Sequence, residues 1–239
     1  MTTPADQLPI VFIPGASSDD TVWDAQKNHF AQHRTALTVD LTQFDSISAM
    51  AAHVIAAAPA EEFIICGTSM GGYVGLEVLK QAQERVKKAI FCNPSARADT
   101  PAKSKQRQAD VDAGPEAYVE ARKEADHYKT FLSARSFENK DLIKILHAIS
   151  LRVGYDCFKN HQTACATRES SVAFLPQINI PTLIIGGAED QVTPPALQAE
   201  MQENIKGAQL IMLPHTGHIA HMEEADTVTT EIEKFLQAA

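Results

Sequence analysis

Ser69 stands at the centre of Gly67-Thr68-Ser69-Met70-Gly71, directly after the apolar run Phe63-Ile64-Ile65-Cys66 and at the start of a helix-like stretch. A serine on a strained strand-to-helix turn can expose its hydroxyl as a nucleophile, provided that no bulky side chain stands two positions away on either side. Gly67 and Gly71 meet that condition, and Gly72 and Gly75 let the helix pack closely on a sheet. The turn also aims the helix N-terminus at the reaction centre, which makes the Met70 N–H a candidate oxyanion donor. A hydroxyl is a weak nucleophile alone, so Ser69 predicts a histidine base and an acid that orients it. Asp190, in LIIGGAEDQVTP, follows an apolar strand-like run and precedes a helix opened by Pro194-Pro195. Glu189 is its neighbour and rival, disfavoured because its side chain should point the opposite way. His218, in LPHTGHIAHMEE, follows the last strand-like run, and Gly217 before it gives the loop freedom to carry the ring over the serine.

Acyl transfer needs a second backbone donor, and the loop after the first strand, IVFIPGASSDDTVWD, can provide it. Gly15 permits the turn, Ala16 is the first-choice donor and Ser17 the second; a strand-helix loop capped by Ser18 or Asp19 is compatible with both. His215, His218 and His221 recur at intervals of three and invite comparison with a metal site. No carboxylate or thiolate cluster accompanies them, so no metal is expected, and His215 and His221 read as structural or solvent-facing.

These residues need a scaffold. Apolar strand-like runs occur at 10–13, 36–41, 63–66, 86–92, 182–185 and 209–213, and their continuous apolar character suits strands buried on both faces of a parallel sheet. Helical patterns lie between them at 20–33, 46–58, 70–83, 195–204 and 223–236, which implies right-handed crossovers and an α/β layer architecture. Residues 97–175 break the alternation with four helical patterns and no strand. Leu142, Ile145, Leu146, Ile149 and Val153 share a helix face there, and Gly154 is the expected stop. The organisation is therefore a core of residues 1–96 and 176–239 with a helical cap of 97–175 inserted after the fourth strand.

The chain has 239 residues and a net charge of −9, which opposes the field a nucleic-acid binder needs. The charge is uneven: the cap is net +2 and the remainder net −11. No segment reaches about 18 uninterrupted apolar residues, and the N-terminus lacks a signal-peptide pattern, so neither a membrane nor export is expected and a cytoplasmic location is. Cys66, Cys92, Cys157 and Cys165 form no CxxC pair and read as buried, reduced thiols.

The segments FIPGASS, CGTSMGGYVGLEVL, FLPQINIPTLIIGGAEDQVTP and LPHTGHIAHMEEAD, together with the order Ser, Asp, His, resemble the α/β-hydrolase superfamily, close to small bacterial esterases and lactonases with a four-helix cap. The resemblance implies an α/β-hydrolase fold with a mainly parallel six-stranded sheet, without the two N-terminal strands of larger relatives. It makes Ser69 the nucleophile, His218 the base and then acid, Asp190 its orienter, and Ala16 with Met70 the oxyanion hole. It implies a serine hydrolase that cleaves a small carboxylic ester or lactone through an acyl-enzyme, without cofactor, as a monomer or homodimer. The same triad serves perhydrolases, C–C hydrolases and hydroxynitrile lyases, and a hydrolase-fold binding protein with vestigial activity is the alternative of another class. Pro14-Gly15 replaces the usual His-Gly of the oxyanion loop, so the side chain that commonly braces that loop is missing. Ala225 replaces a common proline. Ser17, Trp23, Tyr128, Phe131, Phe137 and Phe158 are candidates for the substrate pocket, and the basic cap suggests an anionic substrate.

Overall fold

In the computed structural model, which describes residues 8–238, the apolar runs form β1 (Ile10–Ile13), β2 (Ala36–Thr38), β3 (Phe63–Thr68), β4 (Val86–Cys92), β5 (Thr182–Gly187) and β6 (Gln209–Leu213). They pair in parallel throughout, in the order β2-β1-β3-β4-β5-β6. In chain order the helices are α1 (Asp24–Phe30), α2 (Ile47–Ala57), α3 (Met70–Ala82), α4 (Pro101–Asp112), α5 (Gly114–Lys123), α6 (Ala134–Phe137), α7 (Lys140–Thr167), α8 (Pro195–Asn204), α9 (Ala220–Glu223) and α10 (Ala225–Gln237).

Alternation along each strand sorts its side chains into two cores. Val11, Ile13, Ile65, Phe91 and Ile184 pack with Met50 and Val54 of α2, Leu76 and Leu79 of α3 and Met201 of α8. Ile10, Phe12, Ile64, Ile90, Leu183 and Ile185 pack with Phe30 of α1 and Val228, Ile232 and Phe235 of α10. Burial of each such side chain contributes about 1.5–3 kcal/mol, so central strands apolar on both faces hold the layers together. The edge strands β2 and β6 are mostly half-buried.

Three elements differ from the sequence expectation. β2 stops at Thr38 because the Asp40 carboxylate accepts from the Thr42 N–H at 2.9 Å, an Asx turn that draws the chain off the sheet. The helix expected at 20–33 starts as a 3-10 turn at Asp20–Trp23, capped by Asp19, and ends at Phe30. The last expected helix is divided at Glu224, whose φ of −127° and ψ of 48° are not helical. In α7 the expected stop is present as a break: Gly154 has φ 74° and ψ −178°, and the chain resumes a helix beyond it.

Helices α4 to α7 form one excursion between β4 and β5, which remain paired with each other from Ala89↔Thr182 to Cys92↔Ile185. Where the chain returns, the Ser171 N–H donates to the Ala96 carbonyl at 2.7 Å. No helix among the described residues is long and apolar enough to cross a membrane. The four cysteines are free and buried.

Candidate active site

Ser69 sits between β3 and α3 with φ 52° and ψ −115°, a left-handed conformation rare for a side chain with a Cβ. The turn is held from both sides: the Ser69 N–H donates to Cys92 O at 3.0 Å, and its carbonyl accepts from Gly72 N at 2.8 Å. It also requires closeness. A Cβ at Gly71 would lie 2.2 Å from Ile13 O, so α3 starts against β1 only because that residue has no side chain.

His218 Nε2 lies 2.8 Å from Ser69 Oγ, and His218 Nδ1 lies 3.0 and 2.9 Å from Asp190 Oδ1 and Oδ2. An ionised Asp190 only accepts, so Nδ1 carries the proton and Nε2 is left to accept from the serine hydroxyl. Asp190 is buried, and burial alone would raise its carboxyl pKa. The bond to His218 and its charge, the Thr193 N–H and the Asn93 amide outweigh that and hold it below the usual carboxylate range. Glu189 turns away: its Oε2 accepts from the Ala134 N–H of the helical excursion at 2.9 Å, and its Oε1 lies 3.4 Å from His215 Nδ1.

The three histidines diverge. His215 is exposed beside Glu189, whereas His221 is buried, its ring centroid 4.4 Å from that of Trp23 and its Nδ1 3.3 Å from Thr68 Oγ1. Burial, then the neighbouring His218, pushes the His221 pKa down to about 3. Among the described residues no group of three or more His, Cys, Asp or Glu is arranged to hold a metal ion.

A cavity of about 500 Å³ opens over Ser69. Its floor includes Gly15, Ala16, Ser17, Met70 and His218, and its roof includes Tyr128, Phe131 and Phe158 of the helical excursion. Ser17 has its N–H already committed, donating to His161 Nδ1 at 2.8 Å. Trp23 and Phe137 are not in the lining. Trp23 is fully buried beneath it, its Nε1–H donating to Ile13 O at 3.1 Å and its ring 5.1 Å from Phe12, because its 3-10 turn faces the sheet. Phe137 packs in a small cluster of the excursion with Tyr128, Leu132 and Leu142. Gly217 serves closeness rather than loop freedom: a Cβ there would stand 2.6 Å from Leu132 C and Ser133 N. The segment it touches is tied down, since His218 N–H donates to Phe131 O at 2.8 Å and Glu223 accepts from both Gly217 N and Ser133 N at 2.9 Å.

Several residues at the site have no motif. Asn93, with φ 51° just after β4, is fully buried; its amide donates to Asp190 Oδ2 at 2.8 Å and Gly217 O at 3.0 Å, and its Oδ1 accepts from Ala220 N at 3.2 Å. Thr193 adds a hydroxyl bond to Asp190 Oδ2 at 2.8 Å. His161 of α7 holds Ser17 through Nδ1 and donates from Nε2 to Leu41 O at 3.0 Å, which fixes one neutral tautomer. Arg122 lines the cavity from α5. The position of Asn93 after a strand end was the only available signal; the others are single polar residues on helices or in loops.

The chain matches the family model described as alpha/beta hydrolase fold over residues 14–225. It is 26% identical over 233 residues to a pimeloyl-[acyl-carrier protein] methyl ester esterase of Nitrosomonas europaea, covering 87% of this chain and 88% of that protein. It is 24% identical over 248 residues to the AB hydrolase superfamily protein YisY of Bacillus subtilis, covering 95% and 91%. Its fold is similar to that of a thermophilic esterase from Thermogutta terrifontis, with a TM-score of 0.88 at 24% identity over 96% of this chain and 89% of that one. An enol-lactonase from Burkholderia xenovorans gives a TM-score of 0.84 at 20% identity over 97% and 92%. With a six-stranded parallel sheet, a serine at the β3–α3 turn and a family match across most of its length, this chain belongs to the α/β-hydrolase fold family.

Proposed function

We propose that this protein is a serine hydrolase of small carboxylic esters or lactones, with Ser69 as nucleophile, His218 as base and Asp190 as its orienter. The observation that carries the reading is the continuous hydrogen-bonded chain from Ser69 Oγ through His218 to Asp190 on the floor of a roofed cavity. His218 Nε2 takes the Ser69 proton as Oγ attacks the acyl carbon, and the Ala16 and Met70 N–H groups receive the oxyanion. The imidazolium returns its proton to the leaving alkoxide, giving the alcohol and an acyl-Ser69 ester. Water, deprotonated by the same nitrogen, attacks that ester through a second tetrahedral intermediate and releases the acid. Asp190 stays ionised and stabilises the imidazolium in both halves. Helices α4 to α7 act as a lid that excludes water and selects the acyl group, with Tyr128, Phe131 and Phe158 as apolar wall. The relatives' names, an ester esterase and an enol-lactonase, agree with this substrate class.

The test is hydrolysis of p-nitrophenyl butyrate by Ser69→Ala. Loss of a triad nucleophile costs on the order of 10⁴–10⁶ in kcat. An enzyme within a few-fold of wild type overturns the proposal, as does failure of a fluorophosphonate to label Ser69.

A further inference from the structure

The roof of the cavity contains a buried cation that makes no salt bridge. Among the described residues the excursion has six arginines, and five are ion-paired: Arg97 with Glu200, Arg107 and Arg168 with Asp99, Arg135 with Glu224 and Arg152 with Asp19. Arg122 is the exception, and it is buried at 6% exposure while lining the cavity that holds Ser69 and His218. Its guanidinium carbon lies 3.5 Å from the Tyr118 ring centroid and 4.9 Å from that of Phe158, and Tyr118 is itself fixed by donating to Ser150 O at 2.6 Å. Nη1 donates to Tyr118 O at 3.0 Å, whereas Nε is buried and has no partner.

A buried guanidinium is costly unless an anion joins it, and aromatic stacking compensates only in part. Rings against its face leave the in-plane N–H edge for a planar acceptor, and a carboxylate matches that fork. The neighbouring charges agree. Lys103 and Arg107 also line the cavity, and Asp110 is the one carboxylate among the described lining residues, where it accepts from Gln106 Nε2 at 2.8 Å.

We infer that Arg122 is a specificity-determining residue that anchors a carboxylate on the substrate, so that the preferred substrate is an ester or lactone of a dicarboxylic acid with one acid group free. This rests on the hydrolase reading for the bond that is cut, and on the Arg122 environment for the group that is held. The rigid stack sets the distance between the anchored carboxylate and the attacking serine, so the site selects by chain length as well as charge.

The experiment compares p-nitrophenyl hydrogen glutarate with p-nitrophenyl butyrate at pH 7. Wild type is expected to favour the anionic ester in kcat/KM by on the order of 10- to 100-fold, the range of a desolvated charge-assisted pair. Arg122→Gln should collapse that ratio toward one, and Arg122→Lys, which keeps charge but not the fork, should retain part of it. Absence of a preference in wild type, or an unchanged ratio in Arg122→Gln, overturns the anchor and leaves the hydrolase reading intact. Retained activity of Ser69→Ala on both esters overturns the hydrolase reading instead. Binding separates the two: in Ser69→Ala, glutarate should raise Tm and dimethyl glutarate should not, and an equal response to both refutes the anchor even if Arg122→Gln does not fold.

Discussion

Replacing Gly187 by alanine tests whether the proposed triad depends on two loops packed backbone to backbone. Gly187 ends β5 just before Asp190, and a Cβ built there would lie 2.1 Å from Gly217 O, 2.3 Å from Thr216 O and 2.7 Å from Thr216 C. These obstacles are backbone atoms, so no side chain can rotate away. Reaching even 3.0 Å, closer than real Cβ contacts come, needs a shift of about 0.9 Å in the loop that carries His218. That displacement would stretch the His218–Asp190 bond from 2.9 Å toward ~4 Å, and the Asn93–Gly217 bond of 3.0 Å with it. A misplacement of about 1 Å costs roughly 10²-fold in kcat. The overpacking should cost about 1–3 kcal/mol of stability, which lowers Tm by roughly 2–10 °C in a chain of this size. Steady-state hydrolysis of p-nitrophenyl butyrate and scanning calorimetry measure both. Gly75→Ala is the control, because its Cβ would meet the end of the Phe91 ring at 2.8 Å, a side chain rather than the backbone of the two loops; it should lower Tm with a much smaller effect on kcat. Gly187→Ala within about threefold of wild-type kcat, or equal kcat losses in the two variants, would refute the reasoning.

Two other perturbations follow from the same site. Asn93→Ala removes both amide bonds to the Asp190 and His218 loops and leaves Ala220 N unpaired, so urea unfolding should show a loss of about 2–4 kcal/mol and kcat should fall at least tenfold; wild-type values for both would exclude a positioning role. Acid stability tests His221. Its folded pKa of about 3 lies below the ordinary 6.5, so the unfolded chain binds the extra proton between those values and stability is full above about pH 6.5 and falls as pH drops toward 3. Between pH 6.5 and 4.5 the loss is about 2 kcal/mol, and His127, pushed down to about 4 by burial and then by Arg122, acts in the same direction. His221→Gln should lose correspondingly less over that range in urea midpoints, and an unchanged pH dependence would count against the buried neutral imidazole.

What the sequence made legible was whatever local order determines. Ser69, Asp190 and His218 each follow the carboxyl end of a strand, and strands apolar on both faces can be found without knowing their neighbours. The glycines flanking Ser69 report a close approach that any strand-turn-helix of this kind needs. The roof was less accessible because its contacts are made across long separations. His161 meets Ser17 across 144 residues, and a lone histidine on a helix gives no hint of that. Arg122 reads as a surface charge on an amphipathic helix until α5 and α7 are packed and Tyr118 and Phe158 enclose it. Trp23 and Phe137 fall outside the cavity lining for the complementary reason: aromatic character says that a side chain will be buried, but not whether its neighbour will be a sheet, a helix or a ligand.

The hydrogen bond between Ser171 and Ala96 has a consequence for how such a protein can diversify. Since the excursion leaves and rejoins the core at nearly one point, and β4 and β5 keep their register beneath it, the whole roof can be exchanged as a cassette without disturbing a rung of the sheet. On the proposed function, substrate choice and bond-breaking would thereby fall on separable stretches of chain. The two stretches are stitched together at several points, among them His161 to Ser17, Glu189 to Ala134, Glu223 to Ser133, His218 to Phe131 and Arg152 to Asp19. A grafted roof that lacks a histidine at the position of His161 would leave the Ser17 N–H without its acceptor, and one that lacks Arg152 would leave Asp19 without its ion pair, so a change overhead has to re-create these bonds to keep the loop as it stands.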